Sequence, residues 1–332
     1  MAYLGLVLAI LATTISVPRA HAAPIRYTVT NLGTLPTRPG DPDFYYAKQL
    51  TPGGRVIGGY GSGGFLYSDG RMTNLVSGVG YINDRGETGM RPFNDAGQSI
   101  DGIAVTMPDG MPGSRAALRE PDGTVVDLGV VGAAKISEAN AINNRGQVAG
   151  GLYLSDERGS VHPFLYSDGR MTDLGLLPGA RSATANALND AGQVVGGPLN
   201  DLSPAFLYSD GKLKSLGMLG GRWSSAKSIN NLGRIVGNSD VDLDGIFSHA
   251  FLYESGSMLD LNDLIGPDSG WVLESAIGIN DAGQIAGNGL LNGQRRVFLL
   301  DPLPVPEPTT LALFGLAAAA MLTRRVASKV GN

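Results

Sequence analysis

Asp240, Asp242 and Asp244 alternate along Asp240-Val241-Asp242-Leu243-Asp244-Gly245. Carboxylates at every second position of a turn closed by glycine can direct several oxygens at one hard cation, as calcium loops do. The helix-loop-helix form of such a loop needs glutamate at its last position, which here is Phe251, inside a strand-like run. The segment therefore reads as a calcium loop between strands or as a solvated acidic turn, and no other part of the chain copies it. The two tryptophans offer different chemistry. Trp223 follows Arg222, Trp271 follows Asp268-Ser269-Gly270, and Arg181 occupies a comparable place upstream. Indoles beside Arg and Asp can stack on sugar rings or grip a protein, or they can cover the edge of a core beneath their loops.

Nucleophilic catalysis has little to draw on. Beyond the N-terminal apolar segment only His162 and His249 are present, and both stand just before a Phe-Leu-Tyr run, which marks a repeated structural position. Ser224-Ser225-Ala226-Lys227 has an S-x-x-K spacing but lies in a strand-like repeat instead of at a helix start. Acid–base work on a polysaccharide would fall to Asp268, Glu274 and Glu138, provided that two of them come within about 5–10 Å in one pocket. The chain has no cysteine, which removes disulfides, thiol nucleophiles and cysteine metal sites. It has no phosphate loop and no HExxH. A net charge of −5 leaves no basic stripe for nucleic acid.

These residues sit on a repeating frame. Phe164 to Gly197 contains two hairpin signals in succession. Phe164-Leu165-Tyr166 and Arg170-Met171-Thr172-Asp173-Leu174 flank Ser167-Asp168-Gly169. Ala185-Asn186-Ala187-Leu188 and Gln193-Val194-Val195-Gly196 flank Asn189-Asp190-Ala191-Gly192. Asp-Gly and Asn-Asp-x-Gly runs supply the positive φ angles of tight hairpins. Related runs begin at Phe65, Ala117, Phe206 and Phe251, and their turn glycines recur at intervals of 42–53 residues. The second hairpin recurs from Pro92, Ala141, Ser228 and Gly278, with a weaker copy at Gln49. A four-stranded sheet repeated at this spacing is the signature of a propeller or another stacked array. The recurring Asn-Asp pairs read as turn chemistry, not as catalytic carboxylates.

We label the repeat strands A (Ala-Asn-Ala-Leu), B (Gln-Val-Val-Gly-Gly), C (Phe-Leu-Tyr) and D (Met-Thr-Asp-Leu). Tyr27–Leu32 then aligns with a D strand, and Arg296–Leu300 with a C strand. The piece missing at the start is the piece surplus at the end, which is the arrangement a closed ring requires and which spares exposed sheet edges. The expected fold is all-β: a β-propeller of about six four-stranded blades, its last blade running from about Val272 to Leu300 and taking its outer strand from Tyr27–Leu32. Gly80–Glu87 reads as an insertion on the second blade or as an irregular seventh blade, and Gly102–Arg115 as a long B–C connection.

Residues 1–22 have the apolar run and the Ala20-His21-Ala22 cleavage pattern of a secretory signal, although no Lys or Arg precedes the run. Such a segment implies the Sec export machinery, and residues 23–301 form the expected propeller. In the tail, residues 302–332, Pro306-Glu307-Pro308 precedes an apolar run from Leu311 to Leu322, and Arg324-Arg325 follows. The run is shorter than the ~20 residues of an ordinary membrane-spanning helix, and the arginines would hold its end on the cytoplasmic side. This tail resembles the PEP-CTERM sorting signal of Gram-negative bacteria. The resemblance implies recognition of Pro306, Glu307 and Pro308 by an exosortase, an inner-membrane intermediate, and transfer to the cell surface or extracellular matrix. His249-Ala250-Phe251, Asp260-Leu261 and Ile279-Asn280-Asp281 resemble the bacterial extracellular HAF repeat, with variants at His162 and Pro204.

Together these readings describe an exported, non-catalytic repeat protein of the cell envelope or exterior that binds exopolysaccharide or a surface protein, an association of the PEP-CTERM group with matrix formation. Calcium is the one cofactor that the residues suggest. The alternative is a secreted polysaccharide hydrolase or lyase on the same scaffold. Arg181, Arg222, Trp223, Asp268 and Trp271 are the candidate ligand-binding residues, because D–A and B–C loops form the usual binding face of a propeller.

Overall fold

The computed structural model describes residues 27–304, apart from 36–44, 62, 76–79, 108–109, 157–158 and 200–201. The expected signal segment, Pro306, Glu307, Pro308, the apolar tail and Arg324-Arg325 lie outside the described residues. Among the described residues no helix is long and apolar enough to cross a membrane.

The described chain is a succession of antiparallel sheets. Strand β1 (Tyr27–Asn31) comes first in sequence. Sheet 1 is β2 (Tyr45–Leu50), β3 (Val56–Tyr60), β4 (Gly63–Ser68) and β5 (Arg71–Leu75). A short ladder of β6 (Tyr81–Ile82) and β7 (Thr88–Gly89) follows. Sheet 2 has three strands, β8 (Ser99–Thr106), β9 (Pro112–Arg119) and β10 (Val125–Asp127). Sheet 3 comprises β11 (Ala134–Ile142), β12 (Val148–Leu154), β13 (Val161–Ser167) and β14 (Arg170–Asp173). Sheet 4 comprises β15 (Ala183–Leu188), β16 (Val194–Pro198), β17 (Ala205–Ser209) and β18 (Lys212–Gly217). Sheet 5 comprises β19 (Ser224–Ile229), β20 (Ile235–Asp240), β21 (Ser248–Glu254) and β22 (Ser257–Asp260), then a 3₁₀ turn over Leu261–Leu264. Sheet 6 is β23 (Trp271–Ile279), β24 (Ile285–Leu291) and β25 (Gln294–Pro302), with β1 as its outer strand. Val29 stands opposite Leu300 and Asn31 opposite Phe298.

Among the described residues the repeat thus yields five four-stranded sheets, one of three strands and one two-stranded ladder. Sheet 2 falls short where Pro92 occupies its A position. Proline has no N–H for a ladder, and only the bridge between Phe93 and Ser99 remains of that strand. The expected long connection at 102–115 is instead a hairpin: β8 and β9 pair from Ser99↔Arg119 to Thr106↔Pro112. Its Ile103-Ala104-Val105-Thr106 alternates intermediate and exposed positions, as a strand with one solvated face does.

Local chemistry explains the regularity. In the C–D turns Asp69, Asp168, Asp210 and Ser255 have φ of 52–53°, and each is followed by a positive-φ glycine. Two consecutive positive φ angles define the type I′ hairpin turn. Phe65, Phe164, Phe206, Phe251 and Phe298 point inward from the C strands and are fully buried, each contributing about 1.5–3 kcal/mol. One glycine in each facing B strand, Gly58, Gly150, Gly196, Gly237 or Gly287, makes room for them. A Cβ on Gly196 would collide with the Thr184 carbonyl oxygen and the Phe206 ring, and one on Gly237 with the Ser225 oxygen and the Phe251 ring. The A strands of the five four-stranded sheets are bulged at Lys48, Asn140, Asn186, Lys227 and Ile277. A bulge re-aims a side chain out of the regular alternation: Asn140 Nδ2 donates to Ala185 O at 2.9 Å and Asn186 Nδ2 to Ala226 O at 2.8 Å, each in the next sheet.

Candidate binding face

In antiparallel sheets of order A-B-C-D, the A–B and C–D turns lie at one end and the B–C and D–A connections at the other. The two ends are built differently. At the A–B end, the first Asn of each motif is nearly inaccessible and does two jobs. Asn189 Oδ1 accepts from the Ala191 and Gln193 amides of its own turn, at 3.1 and 3.0 Å. Its Nδ2 donates to Gln193 Oε1 and across to Asn230 O in the next sheet, at 2.7 and 3.1 Å. The same reach joins Asn94 to Asn143 O, Asn143 to Asn189 O, Asn230 to Asn280 O, and Asn280 to Thr51 O. A second row runs outside the first. The amides of Asp95, Asn144, Asp190 and Asn231 donate to the side-chain oxygens of Asn144, Asp190, Asn231 and Asp281. The β6–β7 ladder takes part: Gln49 exchanges hydrogen bonds with Ile82, and the Arg85 amide donates to Asp95. The sequence reading placed these Asn-Asp pairs in turns; their reach into the neighbouring sheet was missed, although their recurrence beside a glycine that already suffices for the turn was the available signal.

This end surrounds an opening of about 210 Å³. Asp84 lines it. Burial lifts its carboxyl above the ordinary range, a hydrogen bond from Asn144 lowers it, and the charges of Asp95, Asp190 and Asp281 raise it. These carboxylates are committed to the amides named above, and no group of three His, Asp or Glu side chains among the described residues is placed to hold a metal.

Among the described residues the opposite end is joined by a sparser set of side-chain bonds. Serines of the A strands supply some of them: Ser137 Oγ accepts from the Ala116 amide and donates to Gly129 O, and Ser224 Oγ does the same with Ala205 and Gly217. Ser224 is therefore engaged with backbone. Two cavities open here. One of about 690 Å³ is lined by Arg181, Tyr153 and Ser160. Burial, and a 2.8 Å hydrogen bond to Glu138, push the Tyr153 hydroxyl up to about 12. The other cavity, of about 470 Å³, lies where sheets 1, 5 and 6 meet and takes in Tyr46, Glu274, Arg295 and Arg296.

The remaining candidates are dispersed. Trp271 packs edge-on against buried Phe298, with ring centroids 5.9 Å apart, so it covers the core. Trp223 is half-buried, and its carbonyl accepts from the Asp240 amide. Arg222 and Asp268 are exposed. The 470 Å³ cavity takes Glu274 but neither Glu138 nor Asp268. In the acidic loop, buried Asp240 accepts from Ser248 Oγ at 2.7 Å, Asp242 accepts from the Ile246 amide at 3.1 Å, and Asp244 is exposed. Asp240 and Asp242 thus brace the loop. His162 and His249 each pair through Nδ1 with a D-strand aspartate, Asp173 at 3.0 Å and Asp260 at 2.6 Å.

Among solved structures, the chain is similar to one from a study of two prolyl endopeptidases (11% identity, TM-score 0.40). It is also similar to TolB from Acinetobacter baumannii (13%, 0.37) and to the soluble aldose sugar dehydrogenase from Escherichia coli (8%, 0.38). These matches cover 84%, 85% and 83% of this chain; it spans 42%, 64% and 100% of theirs. No curated protein sequence matches the chain. The family model of the PEP-CTERM protein-sorting motif matches residues 304–326, so the chain carries at its C-terminus a signal that implies export and sorting to the cell surface.

Proposed function

We propose that this chain is a non-catalytic propeller, closed between β1 and β25, that an exosortase sorts to the cell surface, where it holds matrix polysaccharide on the end formed by its B–C and D–A connections. The sorting reading rests on the motif at 304–326, in which Pro306-Glu307-Pro308 and Arg324-Arg325 stand in the recognition and membrane-flanking positions. The binding reading is carried by one observation. Repeated side chains tie the A–B end together, whereas the other end opens cavities among connections that differ from sheet to sheet, lined by Arg, Tyr and carboxylate side chains. Clefts with a few convergent polar groups are the usual form of a ligand site. Extracellular HAF-type repeats would supply such a scaffold, with surface variation confined to the connections.

Two experiments test the proposal. The cysteine-free background allows Thr30→Cys with Leu299→Cys, an opposed pair. Their spontaneous cross-linking in the native chain is expected, and free thiols after mild oxidation would oppose a ring joined there. For binding, the purified chain is passed over immobilised exopolysaccharide extracted from biofilm matrix. Retention is expected, and flow-through with neutral and acidic polysaccharides alike would overturn the reading.

A further inference from the structure

The bulged A strands place a second layer of side chains behind the opening at the A–B end. The last residue of each such strand lines that opening: Leu50, Ile142, Leu188, Ile229 and Ile279. Two residues earlier, and so one layer deeper, stand the bulge residues Lys48, Asn140, Asn186, Lys227 and Ile277. Polar side chains of this layer find partners in the next sheet or ladder. Asn140 and Asn186 donate to Ala185 O and Ala226 O, and Lys48 Nζ lies 4.0 Å from the centre of the Tyr81 ring. Lys227 departs from that pattern. Among the described residues its ammonium has no hydrogen bond, ion pair or ring contact.

The surroundings of Lys227 withhold what would keep it charged. The register of β19 on β20 passes from Ala226↔Gly237 to Ser228↔Val236, so Lys227 stands outside the ladder. The flanking hydroxyls are engaged: Ser225 Oγ accepts from Asn186 Nδ2 at 3.3 Å, and Ser228 Oγ from the Ile279 amide at 3.3 Å. The carboxylates on the A strands are engaged as well, Glu138 with Tyr153 and Glu274 with Arg295. Burial pulls the Lys227 ammonium below the ordinary lysine range, yet its side chain keeps access to solvent, as the wall of an opening does. A lysine enclosed by protein and without a counter-charge holds its proton weakly, and its neutral amine is a nucleophile.

We propose that Lys227, held at its bulge behind the opening without a partner, is a covalent modification site for small aldehydes, such as the open-chain carbonyl of a short sugar. The neutral amine attacks the carbonyl carbon and a C–N bond forms. Both amine protons leave with the carbonyl oxygen as water, and an imine remains. The step needs no oxidant or reductant. It stands apart from the polysaccharide reading above, because it involves neither cavity of the other end.

The test is competitive labelling of the full, unsubstituted chain, so no variant has to fold. The chain is incubated with glyceraldehyde, imines are trapped with cyanoborohydride, and the adduct at each lysine is quantified by peptide mass spectrometry. Exposed Lys212 in a C–D turn is the internal reference. At about pH 7 Lys227 is expected to react several-fold faster than Lys212. The ratio should fall towards one at about pH 10.5, where ordinary lysines also lose their protons. It should also fall to about one at pH 7 in guanidinium chloride, where the bulge no longer exists. Equal labelling of Lys212 and Lys227 in the folded chain at pH 7, or no adduct at Lys227, would overturn the proposal. So would a preference for Lys227 that survives unfolding, because sequence and not the enclosed position would then cause it.

Discussion

The two ends of the sheets are made from the same repeat and do different work. At the A–B end, Asn94, Asn143, Asn189, Asn230 and Asn280 each spend one side chain on their own turn and on the next sheet. At the other end, connections differ in length and composition, from the two-residue Asn292-Gly293 turn to the longer loop at Val241–Phe247, and cavities open between sheets. A buried amide that must find partners leaves little freedom in sequence, so the tied end repeats. Among the described residues the loose end is fixed by bonds that differ more from sheet to sheet, through Ser137, Ser182 and Ser224 in some sheets and through Asn262 in another. Repetition therefore marks the structural seam, and on the proposed reading the more varied end is the one that recognises a ligand.

The comparison can be broken most directly at the seam. Asn189→Ala removes four hydrogen bonds from a buried position, and a loss of about 2–4 kcal/mol in urea-unfolding stability is expected. A cost below about 0.5 kcal/mol would mean that the seam does not hold neighbouring sheets together. Ser224→Ala probes a fixed point of the loose end. It leaves the Ala205 amide and the Gly217 oxygen without this partner, and a smaller loss of about 1–2 kcal/mol is expected.

The third change has the opposite sign. The Asp84 carboxyl is raised in the folded chain by burial and then, against the pull of Asn144, by three neighbouring aspartates. A raised acid holds its proton more tightly when folded, so its contribution to stability is full below the unfolded pKa and is lost as pH rises through the folded one. Asp84→Asn should therefore raise the melting temperature slightly at neutral pH and leave it unchanged in acid. A fall at neutral pH would show that Asp84 is a stabilising partner and not a strained charge. The smallest effect is expected at the loose end itself, where Arg295→Ala should change stability by less than about 0.5 kcal/mol. A larger loss would assign Arg295 to the framework.

Much of this architecture could be read from the residues. Asp168-Gly169 announced a primed turn, and Asp168 and Gly169 have φ of 53° and 74°. Phe164 and its counterparts announced the inward face of each C strand, and Tyr27–Leu32 announced the outer strand of sheet 6. Those features are local, or follow from aligning one copy with another. Pro92 could have warned that sheet 2 lacks a complete A strand, and the alternation at Ile103–Thr106 that a hairpin stood at 102–115. The site was less legible. Trp271 drew attention because indole is large, and that size is why it packs on Phe298. The spacing of Asp240, Asp242 and Asp244 is that of a cation loop, and the hydrogen bonds that Asp240 and Asp242 accept from Ser248 and the Ile246 amide could not be read from it. Arg295 and Arg296 carried no signal, because their cavity exists only where three sheets far apart in sequence come together.

Hydrogen exchange read peptide by peptide, with the full chain free and bound to extracted matrix polysaccharide, tests the division of labour between the two ends. The account predicts slowed exchange at 241–248 and 294–297, beside the cavity, and unchanged exchange in the turns at 189–193 and 230–234. Slowed exchange in those Asn turns, with none beside Arg295, would place recognition on the wrong end and contradict it.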